Sequence, residues 1–148
     1  MKLTNAIANP SSIKSSKSKY QYNVLIRGEK KVCSSHVEAV ITTLKLLADK
    51  ELIDLSVLEE NEVLAGFPLL LDVTDIKNKN DIPDMLKKEC EGRFKNRYQA
   101  KKLLVVNEST YIVCNQWTVE RIDKFFNKML AVANEKCNKK DLSTIERV

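Results

Sequence analysis

The spacing closest to a catalytic one is Asp72-Val73-Thr74-Asp75-Ile76-Lys77, in which a second carboxylate stands two residues ahead of a Lys. Metal-dependent nucleases hold Mg²⁺ on such carboxylates and steady the attacking water beside it. That chemistry needs a further acid, and the upstream ones, Glu60 and Glu62, fall on a predicted helix with no other ligand type beside them. Asp72, Asp75 and Lys77 therefore read first as a solvated strand exit, no metal is expected, and nuclease activity ranks last among the functions weighed. Nucleophilic chemistry has no better footing. Cys33 and Cys114 fall at strand ends that face a core, where a free thiol behaves as a small hydrophobe. His36, the one histidine, lies inside a capping pattern and reads as a surface residue at a helix start. Cys33, Cys90, Cys114 and Cys137 include no Cys-x-x-Cys pair, so zinc is not expected and reduced thiols point to a cytoplasmic protein.

Binding chemistry is better represented. Arg93, Lys95, Arg97, Lys101 and Lys102 are interleaved with Phe94 and Tyr98, a pattern in which cations hold phosphates while a ring such as Tyr98 stacks on bases. Lys14, Lys17 and Lys19 add a basic arm. A Lys-rich edge strand that resists sheet-to-sheet association is the competing explanation for the second cluster. Asn115-Gln116-Trp117 stands just ahead of a predicted helix, where two amides and a large ring suit an anion or a base, although amide caps beside a packing Trp explain the same residues. The stretch from Val40 to Asn61 has the outline of a helix-turn-helix, but its second helix carries Glu59, Glu60 and Glu62, which phosphates would repel.

The elements that must position these residues follow from periodicity. Tyr20, Tyr22, Val24 and Ile26 alternate with polar residues as a half-buried strand does, and Gly28-Glu29-Lys30 reads as a hairpin connection back to Lys31-Val32-Cys33. Ser35 and Glu38 have capping-box spacing ahead of a stripe formed by Val37, Val40, Ile41, Leu44, Leu47 and Ala48. Ser56 and Glu59 suggest a second, short helix, closed by Gly66 and Pro68. Leu69–Ile76 reads as a buried strand, Asn78–Asp81 as a polar loop, and Ile82, Leu86, Cys90 and Phe94 as a helix face with Pro83 in its first turn. A second hairpin is expected over Lys101–Cys114, turning at Asn107–Ser109. A final helix follows, with Thr118 as N-cap and Val119, Ile122, Phe125, Phe126, Met129 and Ala133 on one face.

Val32-Cys33 and Val113-Cys114 lie 81 residues apart, as do Ile41, Leu44 and Ala48 from Ile122, Phe125 and Met129. The chain thus resembles two β-hairpin–helix units with an inserted α/β segment between them. The expected class is α+β, antiparallel hairpins packed on amphipathic helices. The expected organisation is a basic arm over 1–19, one domain over 20–137 and a fraying tail over 138–148.

The 148 residues are 43% hydrophobic and 30% charged, which excludes disordered, collagen-like and disulfide-scaffold classes. No apolar run is long enough to span a bilayer as a helix. The net charge of +5 conceals +6 over residues 1–31 and −7 over 32–75. Only five of the 25 basic residues are Arg, which weighs against base-specific readout. The favoured function is a small non-enzymatic protein, without a cofactor, that binds nucleic acid through a basic surface. The alternatives are a protein-interaction module or inhibitor of the kind carried by phages or plasmids, docking on a host protein through the acidic stretch 49–62, and a nucleotide-sequestering protein using Asn115, Gln116 and Trp117. Self-association is compatible with the sequence.

Overall fold

A computed structural model describes residues 20–60, 62–64, 67–135, 137 and 141–148. The basic arm with Lys14, Lys17 and Lys19 lies outside the described residues, as do the side chains of Glu59, Glu60, Glu62 and Cys90. The fold is α+β, and it begins with an antiparallel hairpin of β1 (Tyr22–Ile26) and β2 (Glu29–Cys33). The two-residue connection is Arg27–Gly28, not Gly28–Lys30, and both residues have positive φ, 47° and 91°. That geometry matches the twist of paired strands, and Gly meets it without a Cβ clash. Arg27 is held in it from outside. Its amide donates to the Ser143 hydroxyl at 2.9 Å and its Nε to the Ala133 carbonyl at 2.8 Å.

Helix α1 (His36–Asp49) starts at the expected cap. The Ser35 hydroxyl accepts from the Glu38 amide at 3.1 Å, and the Glu38 carboxylate reaches back one residue further than a capping box requires, to the Ser34 amide. Ala39, Thr43 and Leu46 are buried as well as Val40, Ile41, Leu44 and Leu47, so the apolar surface is wider than the single stripe expected. The cause is position. The helix packs on β1 and β2, and also on β6 (Tyr98–Val106) and β7 (Ser109–Cys114) of a second sheet. A helix between two sheets has little face left for water.

With β3 (Glu62–Leu64), β4 (Phe67–Pro68), β5 (Leu70–Asp72) and β8 (Thr144–Arg147), the first sheet has the order β2-β1-β8 and the second β5-β7-β6, all antiparallel, beside a small β3-β4 hairpin. Strand β8 (Thr144–Arg147) pairs with β1 from Tyr22↔Arg147 to Leu25↔Thr144, so the segment expected to fray completes the first sheet. Strand β5 (Leu70–Asp72) is shorter than the predicted strand because the Asp72 carboxylate accepts from the Thr74 amide at 2.8 Å and turns the chain. Helix α2 (Ile82–Lys88) likewise ends before Phe94, in a 3₁₀ turn over Glu89–Gly92. Ser56 opens no helical cap, since its amide and hydroxyl both bind the Asp54 carboxylate, and Leu55–Glu60 is a 3₁₀ turn.

Helix α3 (Val119–Asn134) is capped by Thr118, whose hydroxyl accepts from the Arg121 amide, and buries Ile122, Phe125, Phe126, Met129 and Ala133 as its sequence predicts. It shares with α1 the central core between the sheets. Residues Tyr111–Cys114 of β7 are buried on both faces: Tyr111 and Val113 join the central core, while Ile112 and Cys114 join a second core with Ile82, Leu86, Phe94 and Tyr98. Between Gln99 and Leu104, β6 advances five residues while β7 advances only two, from Val113 to Tyr111. This bulge moves β6 from the second core, at Tyr98, to the central core, at Leu104, and leaves Lys101 and Lys102 exposed on its crest. The two hairpin–helix units share element order, but their third strands differ: β8 joins the first strand of one hairpin and β5 the second strand of the other.

Candidate functional site

Residues 93–97 form a tight turn between the 3₁₀ segment and β6. The Lys95 amide donates to the Gly92 carbonyl at 3.0 Å and the Arg97 amide to the Phe94 carbonyl at 3.1 Å, while Asn96 takes a φ of 62°. Apolar residues point inward. Phe94 is 8% exposed and Tyr98 4%, with the Tyr98 hydroxyl donating to the Pro68 carbonyl at 2.6 Å and the two rings edge to face at 5.6 Å. Burial pushes the Tyr98 phenol well above its ordinary pKa, so it stays a neutral donor. Tyr98 therefore has no free face for a base and is a core residue of the second sheet.

What the turn displays is cationic. Arg93, Lys95 and Arg97 are exposed, and none of them forms an ion pair with a described carboxylate. The guanidinium carbons of Arg93 and Arg97 lie 5.3 and 5.7 Å from the centroid of Phe67, a ring that the pairing of β4 (Phe67–Pro68) with β3 (Glu62–Leu64) brings alongside. Such contacts attract a cation to the ring face and order its side chain. The Arg97 carbonyl accepts from the Asn115 amide at 2.8 Å, and Arg97 Nη1 donates to Gln116 Oε1 at 3.4 Å. Arg121, in the first turn of α3, donates to the Gln116 carbonyl at 3.3 Å. Three of the chain's five arginines thus gather around Phe67 and Gln116.

Two candidate regions, Arg93–Arg97 and Asn115–Trp117, are one surface in the structure. Within it the amides are engaged with each other, Gln116 Nε2 donating to Asn115 Oδ1 at 2.7 Å. Trp117 is a packing residue: its indole N–H donates to the Cys114 carbonyl at 2.6 Å and its ring lies 5.3 Å from Phe125. Lys101 and Lys102 stand further along β6, and Lys102 is engaged with Glu38, whose carboxyl is held below its ordinary pKa first by that ammonium and then by the Ser34 amide. Arg121 and Phe67 were missed from the sequence, because neither is near residues 93–97 along the chain.

The acidic candidates are not assembled into a site. Asp72, Asp75 and Lys77 are exposed, and among the described residues no three His, Cys, Asp or Glu side chains gather as metal ligands would.

A polar network was also missed. The Tyr22 hydroxyl and His36 Nδ1 are hydrogen-bonded at 2.6 Å, Tyr20 stacks on the imidazole at 4.8 Å, and Arg147 lies over Tyr20 and pairs with Asp123 at 2.7 Å. His36 is thus half-buried within a network, not a surface residue. The hollow of about 630 Å³ beside it is walled by Asp123 and Glu146 as well as Arg147, so its one cation is more than offset by carboxylates. The arginine turn has no such balance among its described side chains. Compared with known proteins, the chain matches no family model, no curated protein and no solved structure.

Proposed function

We propose that this chain is a non-enzymatic binding protein for nucleic acid that takes phosphates on Arg93, Lys95, Arg97 and Arg121, with Lys101 extending the surface. The supporting observation is the convergence of four exposed or half-exposed cations at a braced turn, none of them ion-paired with a described carboxylate. Guanidinium groups suit phosphate oxygens because their planar forks donate in pairs. The free, buried thiols of Cys33 and Cys114 favour a reducing, cytoplasmic setting, and among the described residues no helix is long and apolar enough to cross a membrane.

Neutralised phosphates release counterions, so affinity falls with salt more steeply the more phosphates the protein engages. Fluorescence anisotropy of labelled oligonucleotides across a salt series tests the surface. Replacing Arg93, Arg97 and Arg121 together by Gln is expected to weaken binding across sequences and to flatten the slope of log affinity against log salt by about one for each phosphate no longer neutralised. A folded triple variant with wild-type affinity and slope would place the binding surface elsewhere.

A further inference from the structure

Charge attracts duplex and single strand alike, whereas stacking requires a base with a free face. Arg93 and Arg97 are exposed, yet both guanidinium carbons are held within 5.7 Å of the Phe67 centroid, and Arg97 is also hydrogen-bonded to Gln116. A planar cation ordered in this way is a platform on which an unpaired base stacks. Groove binding, in contrast, calls for a helix or ribbon with an extended basic face. Among the described elements next to the turn, α3 carries Glu120 and Asp123 on either side of Arg121, with Lys124 paired to Glu120 at 3.9 Å. The β6–β7 ribbon offers Lys101, but its Lys102 is tied to Glu38.

We propose that the surface takes single-stranded nucleic acid, with bases stacking on the guanidinium planes of Arg93 and Arg97 and phosphates held by Lys95 and Arg121. This selectivity rests on the binding function proposed above. It depends on planarity rather than charge, and the two separate by residue type: Lys keeps the charge of Arg and lacks the plane.

The test uses labelled oligo(dT) and oligo(U) of roughly 12 nucleotides, each measured against its own duplex at one salt concentration. The protein is the full chain and its Arg93→Lys/Arg97→Lys variant, whose fold is checked by circular dichroism. Wild-type protein is expected to bind at least one single strand about tenfold or more tighter than its duplex. The Lys variant is expected to lose about 5- to 100-fold of single-strand affinity with its salt slope unchanged. Duplex binding as tight as single-strand binding, or a preference that survives in the Lys variant, overturns the stacking role and leaves the charge-based function standing. Absence of binding to every oligonucleotide removes the binding function itself.

Discussion

The Tyr22 phenol is raised above its ordinary pKa, chiefly by burial, and is hydrogen-bonded to His36 Nδ1. His36 in turn is held below its ordinary value, first by burial and then by the positive Arg147, with Asp123 opposing. In an unfolded chain the imidazole therefore takes up its second proton at a higher pH than in the folded one. Stability from this group is complete above the unfolded value, about 6.5, and falls as the pH drops below it towards the folded value. Urea midpoints from about pH 7.5 down to pH 5.5 are expected to decline in the wild type. They should decline less in His36→Gln, whose amide can hydrogen-bond Tyr22 but does not titrate. A flat wild-type profile would show that His36 is not held neutral by the fold. At this scale the helix caps were legible, since Ser35 and Thr118 bind amides three residues on. The His36 network was not, because Tyr22, Asp123 and Arg147 come to it from three other elements.

Strand β8 shows how an element without a sequence signature is held. Thr144–Arg147 is an edge strand whose residues alternate between exposed and half-buried, so its hydrophobic pattern is weak. Its attachment is largely polar. Asn134, the last residue of α3, accepts from the Ser143 amide at 2.6 Å and donates to the Ser143 carbonyl at 3.1 Å, while Arg147 pairs with Asp123. Removing a partner from two part-buried backbone groups costs about 1–3 kcal/mol. Asn134→Ala is thus expected to destabilise the protein on that scale and to speed amide exchange in Thr144–Arg147 before the rest of the fold. Exchange in β8 that stays at the wild-type rate would show that strand pairing alone retains it.

For the molecule as a whole, α1 is the shared wall of both sheets, so its loss removes the central core between them. Leu44 is fully buried in that helix. Leu44→Ala is expected to cost about 2–5 kcal/mol and to leave a single transition, in which the fluorescence of Trp117 and far-ultraviolet circular dichroism change together. Separate midpoints for the two signals would mean that the sheets unfold independently.

The sequence by itself determined the two hairpins, α1, α3 and their caps, because these depend on side-chain period and on hydrogen bonds spanning a few residues. It also located the cations of the turn at Arg93, Lys95 and Arg97. Only the tertiary structure decided how they are arranged. The bulge between Gln99 and Leu104 resets the alternation of β6, so that Tyr98 joins the second core and Leu104 the central one, a shift that a period-2 reading has no means to place. Pairing of β4 with β3 puts Phe67 under two guanidinium groups, and the packing of α3 brings Arg121 to Gln116. Each of these arrangements joins residues far apart along the chain or depends on strand register, and so arises from packing between elements rather than from local preference.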